Sequence, residues 1–220
     1  MNPIDLRIYA IVDAERAGGH ALADLARRVA EGGATLVQLR DKRSETRAMI
    51  DAARAIKAAL APLAIKFVVN DRVDVALAVG ADGVHIGADD MTAEDARTLL
   101  GPDAIIGLSI KTVEQAAAAP VELIDYAGIG GVYATTSKEQ TSAPIGPEGF
   151  ARIAEAVRRR APHLPLCGIA GIDAGTAAAV IAAGADGVAV ISALSLAPDP
   201  AAAARGLRDI VDAILAKRGT

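Results

Sequence analysis

Apolar residues fall into two alternating rhythms along this chain. Short runs rich in Val, Ile and Leu occur at 7–12, 35–40, 67–69, 83–86, 105–108, 124–129, 166–169 and 188–191. Such runs, bounded by turn residues, are the pattern of strands buried on both faces of a parallel sheet. Between them the spacing changes to that of an amphipathic helix. Leu22, Leu25, Ala26 and Val29 recur at i, i+3, i+4 and i+7; Met49, Ala53, Ile56 and Leu60 form a second stripe, and Phe150, Ile153, Ala154 and Val157 a third. Leu207, Ile210, Val211, Ile214 and Leu215 mark the last helix. Helix starts are expected at Ser44 and Asp173 as N-caps, and at two capping boxes, Thr92 with Asp95 and Thr112 with Gln115.

Eight strands alternating with eight helices demand parallel pairing through right-handed crossovers. The expected fold is therefore α/β, a (β/α)8 TIM barrel forming one domain over residues 1–220, with its functional face at the C-terminal ends of the strands. An open doubly wound sheet is the rival. Gly80-Ala81-Asp82-Gly83-Val84 returns as Gly184-Ala185-Asp186-Gly187-Val188, nearly half a chain later, which favours a half-barrel repeat. One connection is long, 130–146, polar and carrying Lys138; on the functional face it reads as a lid or clamp.

Composition narrows the function classes. Hydrophobic residues make up 52% of the 220, enough for one large core. The aromatics are only Tyr9, Phe67, Tyr126, Tyr133 and Phe150, and the net charge is −4, so neither a stacking platform nor a basic footprint for nucleic acid is present. Cys167 is alone and reads as a small buried apolar residue. The start MNPIDLR lacks a signal-peptide pattern, and the apolar window 177–196 is broken by Gly184, Asp186 and Gly187. A soluble, cytoplasmic protein without membrane or nucleic-acid partners is expected; a homo-oligomer is left open.

No G-x-S-x-G elbow, Walker A or H-E-x-x-H motif occurs. The stretch 66–90 instead places acidic residues after two successive strands, Asp71 and Asp90, a pair suited to a hard cation such as Mg²⁺. Asp71 has an alternative as the cap of the helix that follows it. In 37–42, alternation puts Gln38, Arg40 and Lys42 on one face and Val37 and Leu39 on the other. An inward Arg40 needs an anion, either a phosphorylated ligand or a carboxylate such as Asp13 or Asp71. His85 reads as a satisfied interior histidine more readily than a catalytic one, and Ser109 stands just past strand five. Glycines at 168–171 and the Ile191-Ser192 pair follow strands seven and eight, the usual phosphate position of these barrels.

With these segments in order, the chain resembles the thiamine-phosphate synthase family over nearly its whole length. The matching motifs are Gln38-Leu39-Arg40-Asp41-Lys42, Val69-Asn70-Asp71, GADGVHIG at 80–87 with Asp90 beyond, Ser109, Lys138, Gly171 and Ile191-Ser192. The resemblance implies a transferase that joins 4-amino-2-methyl-5-hydroxymethylpyrimidine diphosphate to a thiazole phosphate by a dissociative, carbocation-like displacement. It implies Mg²⁺ on Asp71 and Asp90. Gln38, Leu39, Arg40, Asp41, Lys42, Asn70, Ser109 and Lys138 would contact the pyrimidine diphosphate, with Lys138, Arg40 and Ser109 catalytic. Thr135, Thr136, Ser137, Gly171, Ile191 and Ser192 would contact the thiazole phosphate. Alternatives are a thiazole tautomerase-like relative and a non-catalytic sensor of phosphorylated ligands. The chain departs from the family pattern at Ala88, Ala134, Ser137 and Ala170; Ala170, where the family has Gly, is expected at negative φ.

Overall fold

A computed structural model describes residues 4–137 and 143–218. Among them eight parallel strands close into a barrel in sequence order. They are β1 (Ile8–Asp13), β2 (Leu36–Arg40), β3 (Lys66–Asn70), β4 (Gly83–Ile86), β5 (Ile105–Ile110), β6 (Tyr126–Gly130), β7 (Leu166–Ile169) and β8 (Gly187–Val190). The seam closes where Ile8, Tyr9 and Ala10 of β1 pair with Val188, Ala189 and Val190 of β8. The outer ring comprises α1 (Leu22–Glu31), α2 (Thr46–Leu60), α3 (Val73–Val79), α4 (Ala93–Leu100), α5 (Val113–Ala118), α6 (Gly146–Arg160) and α7 (Ala177–Ala182). A short α8 (Ser192–Ser195) and the long α9 (Pro200–Arg218) complete it. The closed sheet excludes the open doubly wound alternative.

Both threonines cap their helices as expected. Thr92 Oγ1 accepts from the Asp95 N–H at 3.1 Å and Thr112 Oγ1 from the Gln115 N–H at 3.2 Å. The other two expected caps are corrected. Glu45, not Ser44, precedes α2, and the Ser44 N–H is turned back to Asp41 Oδ1 at 2.9 Å. Asp173 sits one turn too early: its carboxylate takes the N–H groups of Gly175 and Thr176, and α7 starts after Thr176. The helix α8 was not expected, because four residues carry too little periodicity to be read.

Two cores divide the strand residues by parity. Val37, Leu39, Val69, Val84, Ile106 and Ile129 face the helices in the larger core. Tyr9, Ile11, Leu36, Val68, Ile105, Tyr126, Cys167 and Ala189 fill the barrel interior. Burial pushes the Cys167 thiol up to about 12, so it stays protonated and inert near neutrality. Gln38, Asn70 and His85 are also buried, on the inward set of β2, β3 and β4. The interior is thus apolar low down and polar towards the C-terminal ends of the strands.

The opposite face is held by four repeated clasps. The residue just before each even-numbered strand exchanges hydrogen bonds with the start of the strand before it. Thr35 Oγ1 accepts from the Ile8 N–H at 3.2 Å, Asp82 Oδ2 from Phe67 at 2.9 Å, Asp125 Oδ2 from Ile106 at 2.7 Å and Asp186 Oδ2 from Leu166 at 2.9 Å. Each clasp residue returns its own N–H to the carbonyl of that same partner, at 2.7 to 2.8 Å. The three carboxylates are neutralised by Lys66, Arg97 and Arg158 respectively. The GADGV repeat contains two of these clasps. Its second glycine has no room for a side chain, since a Cβ on Gly83 would come within 1.8 Å of the Ile105 carbonyl oxygen and one on Gly187 within 1.6 Å of that of Leu6. The repeat therefore marks a contact made at every second strand rather than a half-barrel alone.

Of the three carboxylate clasps Asp125 is the best shielded from water, paired with an Arg97 that also donates to the carbonyls of Ala104 and Leu123. Asp125→Ala is expected to lower unfolding free energy by about 2 kcal/mol, read as a shifted urea midpoint. Lys66→Ala, removing an ammonium 60% exposed, is expected to shift it by less than about 1 kcal/mol.

Candidate active site

The polar strand ends gather at one mouth. Arg40, Lys42, Asn70, Asp71, Asp90 and Ser109 line a cavity of about 260 Å³ together with His85, Lys111 and Gln115. Below it, Gln38 and Arg40 look into a narrower space of about 50 Å³ inside the barrel. Beside it, a more apolar cavity of about 330 Å³ opens along α4 and α5, sharing Asp90 and Ser109.

Local backbone geometry aims the acidic pair. Asp71 adopts φ +60°, a left-handed conformation uncommon for a residue with a Cβ. Its N–H donates to the His85 carbonyl at 2.8 Å, tying the end of β3 to β4. The turn carries its carboxylate away from α3, which begins after Arg72 with no side-chain cap, so Asp71 is not the cap. That carboxylate instead meets the Lys42 ammonium and lies near enough to Asp90 for the two carboxyl groups to interact. Asp90 is positioned in turn by the Gly87 N–H, 2.7 Å from its Oδ2. Burial raises the Asp71 pKa; the neighbouring Asp90 adds to the rise, and Lys42 only partly offsets it. Asp89 is exposed.

Arg40 reaches across to Asp13 at 2.5 Å, the carboxylate alternative foreseen for it, while still lining the cavity. Asp13 is 1% exposed and also accepts the Glu15 N–H at 2.9 Å, so it holds the guanidinium from below. Two other side chains of the same segment point away from the cavity. Leu39 is fully buried in the helix-facing core, as strand alternation requires. Asp41 folds back on its own loop and accepts the N–H groups of Arg43 and Ser44 at 3.0 and 2.9 Å. Burial works to raise the Asp41 pKa, but those hydrogen bonds outweigh it and the net shift is downward.

Across the barrel, Thr135, Ser137, Gly171, Ile191 and Ser192 line a tight cleft of about 20 Å³. Thr136 is exposed, and its carbonyl accepts from Arg16 of the β1–α1 loop, a tether the sequence did not disclose. Ala170 stands at φ +82°, not at negative φ; it takes the left-handed conformation of a glycine despite its methyl group. Lys138 lies outside the described residues. Sequence reasoning passed over Lys111 and Gln115. Lys111 follows Ser109 by two residues, so alternation pointed to it; Gln115 was read only as a capping residue and also accepts the Lys111 N–H at 2.7 Å.

Asp71 and Asp90 could form part of the shell of a hard cation. Among the described residues no third His, Cys, Asp or Glu joins them. Two carboxylates completed by water and ligand phosphate oxygens are a usual protein share for Mg²⁺, and a facing carboxylate pair with one raised pKa is the donor chemistry that a cation relieves. Among the described residues no helix is long and apolar enough to cross a membrane.

The family described as thiamine monophosphate synthase matches residues 8–194. The thiamine-phosphate synthase of Agrobacterium fabrum is 50% identical over 99% of both chains. That of Moorella thermoacetica is 46% identical, over 93% of this chain and 95% of its own. Among solved structures, the thiamine phosphate pyrophosphorylase from Pyrococcus furiosus superposes with a TM-score of 0.84 at 37% identity, covering 96% of this chain and 98% of that one. A Mycobacterium tuberculosis tryptophan synthase chain, at 17% identity and a TM-score of 0.69, shares the fold alone. A barrel whose residues match this family from β1 into α8, and whose backbone follows a pyrophosphorylase throughout, belongs to the thiamine-phosphate synthase family of enzymes.

Proposed function

We propose that this enzyme joins 4-amino-2-methyl-5-hydroxymethylpyrimidine diphosphate to a thiazole phosphate, releasing diphosphate and forming thiamine phosphate in a Mg²⁺-dependent reaction. The observation that carries the reading is the convergence of Arg40, Lys42, Asp71 and Asp90 on one cavity, with a small cleft lined by Gly171 and Ser192 across the mouth. Arg40 and Lys42 face the diphosphate, each already oriented by a carboxylate. Lys42 is 46% exposed, so a phosphate oxygen can reach its ammonium and replace Asp71 when the ligand arrives. Asn70 and Ser109, lining the same cavity, contact the pyrimidine diphosphate. Gly171 and Ser192, aided by Thr135 and Ser137, take the thiazole phosphate.

The displacement is dissociative. The bond between the pyrimidine methylene carbon and the diphosphate oxygen breaks, and the oxygen keeps the electron pair. The thiazole nitrogen then donates its lone pair to the carbocation and forms the new C–N bond. That nitrogen carries no proton to remove, so no general base is required. The protein's task is to stabilise the departing polyanion and keep water from the cation. Mg²⁺, held by Asp71 and Asp90, supplies further neutralisation of the diphosphate when bound. The loop that carries Lys138 is assigned to closing the mouth.

The test is diphosphate release that requires Mg²⁺ and both substrates; release without the thiazole phosphate would mark a hydrolase instead. Asp71→Ala and Asp90→Ala are each expected to cut kcat by about 100-fold or more with unchanged circular dichroism. Undiminished turnover by both variants in metal-free buffer would remove the cation from the mechanism. Lys138→Ala is expected to lower kcat more than it raises the thiazole phosphate KM, and the reverse split would move Lys138 to the thiazole side.

The acidic pair also has a stability signature. Its folded-state pKa being raised above the ordinary 3.8, ionised Asp71 costs stability increasingly as pH climbs through that raised value, and costs nothing below 3.8. In metal-free buffer Asp71→Asn is expected to match or exceed the wild-type melting temperature at pH 7 and to lose that advantage below about pH 4. Thermal melts across pH, with and without Mg²⁺ and diphosphate, check this; the ligands should raise the wild-type melting temperature and leave the variant's unmoved.

A further inference from the structure

Beneath the cavity, five polar side chains from five strands touch in series across the barrel. Gln38 Nε2 donates to the Tyr9 hydroxyl. The Tyr9 and Tyr126 hydroxyls lie 2.6 Å apart. The Tyr126 hydroxyl lies 2.9 Å from His85 Nδ1, and His85 Nε2 lies 2.9 Å from Ser109 Oγ. The rings are packed as well as bonded. Tyr9 meets Tyr126 edge-on with centroids 5.6 Å apart, and His85 stacks on Tyr126 at 5.5 Å. Room for the Tyr126 ring exists because Gly107 beside it has no side chain; a Cβ there would fall 2.0 Å from the ring. Gln38, Tyr9, Tyr126 and His85 are at most 6% exposed. Burial raises both phenol pKa values, so each phenol keeps its one proton.

A chain of this kind has a direction. A phenol has one proton to give and a neutral imidazole one N–H; when each of those protons is given within the series, the donor at one link determines the donor at the next. With Gln38 donating to Tyr9, Tyr9 donates to Tyr126 and Tyr126 to Nδ1 of His85. The imidazole proton is then on Nε2 and is given to Ser109 Oγ. The Ser109 hydroxyl proton is left for the cavity, and so is the Gln38 amide oxygen. Reversing the order would spend the Ser109 proton on His85 and turn the Gln38 amide over. That needs all five groups to change together, and hydrogen-bonded series resist piecemeal change because each link polarises the next.

We propose that Tyr9, Tyr126 and His85 are positioning residues that set Ser109 as a hydrogen-bond donor and the Gln38 carbonyl as an acceptor towards the ligand ring, so that the site selects a pyrimidine bearing an amino group and an unprotonated ring nitrogen. The inference rests on the pyrimidine diphosphate reading above and names what distinguishes that ring from its oxo counterpart. Replacing the amino group by an oxo group exchanges donor for acceptor at the substituent and acceptor for donor at the adjoining nitrogen. Only the reversed chain would suit such a ring.

The experiment is calorimetric binding of two probes, the 4-amino-pyrimidine diphosphate and its 4-oxo analogue, to the whole chain with Mg²⁺ and without thiazole phosphate. The wild type is expected to prefer the amino probe by about 100-fold. Tyr126→Phe removes the central link without touching either end, and lets Ser109 and the His85 tautomer choose independently; the preference is expected to fall by about tenfold. Tyr9→Phe, cutting the chain one link earlier, serves where Tyr126→Phe does not fold. A purely structural role for the tyrosines would weaken both probes equally, and an unchanged ratio in a folded variant overturns the proposal while the pyrimidine diphosphate reading stands. Equal wild-type affinity for the two probes overturns it as well. Failure of the wild type to bind either probe overturns the pyrimidine diphosphate reading itself.

Discussion

Barrel closure is the constraint on which the other features depend. The β1–β8 seam leaves no strand edge, so every strand has two neighbours and a register that cannot slip without moving its inward residues to the outer face. In that register Asp13 pairs with Arg40 and Asn70 with His85 as direct strand neighbours. The Arg40 ion pair and the juxtaposition of the β3 and β4 ends are therefore consequences of the sheet. The clasps at the opposite face secure the same register where the strands begin, each binding an odd strand to the even strand after it.

The two ends of the barrel divide stability from function. At the N-terminal face each of Asp82, Asp125 and Asp186 has a backbone N–H and a cation, so its charge is fully used. At the C-terminal face Asp71 and Asp90 face each other with one half-exposed lysine between them and the solvent. The left-handed φ of Asp71 and the half-buried like charges beside it both oppose folding. Between the faces, the chain from Gln38 to Ser109 is a polar layer in which every member has a partner, so it orders the floor of the site without leaving a buried group unmet.

Much of this was legible along the chain because it depends on periodicity. The eight-fold alternation, the inward parity of Gln38 and Arg40 and the Thr92 and Thr112 caps are local patterns with a single geometric reading. Errors fell where a residue had two neighbours to choose between. Ser44 and Asp173 carry side chains suited to capping, yet loop closure placed them in turns ahead of their helices. Within the matched motif the Asp41 side chain closes its own loop and that of Leu39 faces the helices, which leaves their backbone groups for any ligand contact. The Asp41 turn appears as a spacing of two and three residues to the N–H groups it accepts, a signal no different from that of an ordinary loop carboxylate.

By itself the sequence determined the alternating elements, the barrel and the resemblance of its strand-end motifs to the thiamine-phosphate synthase family, since these follow from periods of 2 and 3.6 and from short motifs. The tertiary structure alone decided which of those residues meet. Tyr9, His85 and Tyr126 are scattered over more than a hundred positions of the chain, and each alone reads as an ordinary interior residue. Only closure brings inward positions from β1, β2, β4, β5 and β6 within 3 Å of one another in series. The same is true of Asp71, whose left-handed turn releases it from α3 and sends it to Asp90: hydrogen bonding between strand ends is a long-range choice that no local pattern encodes.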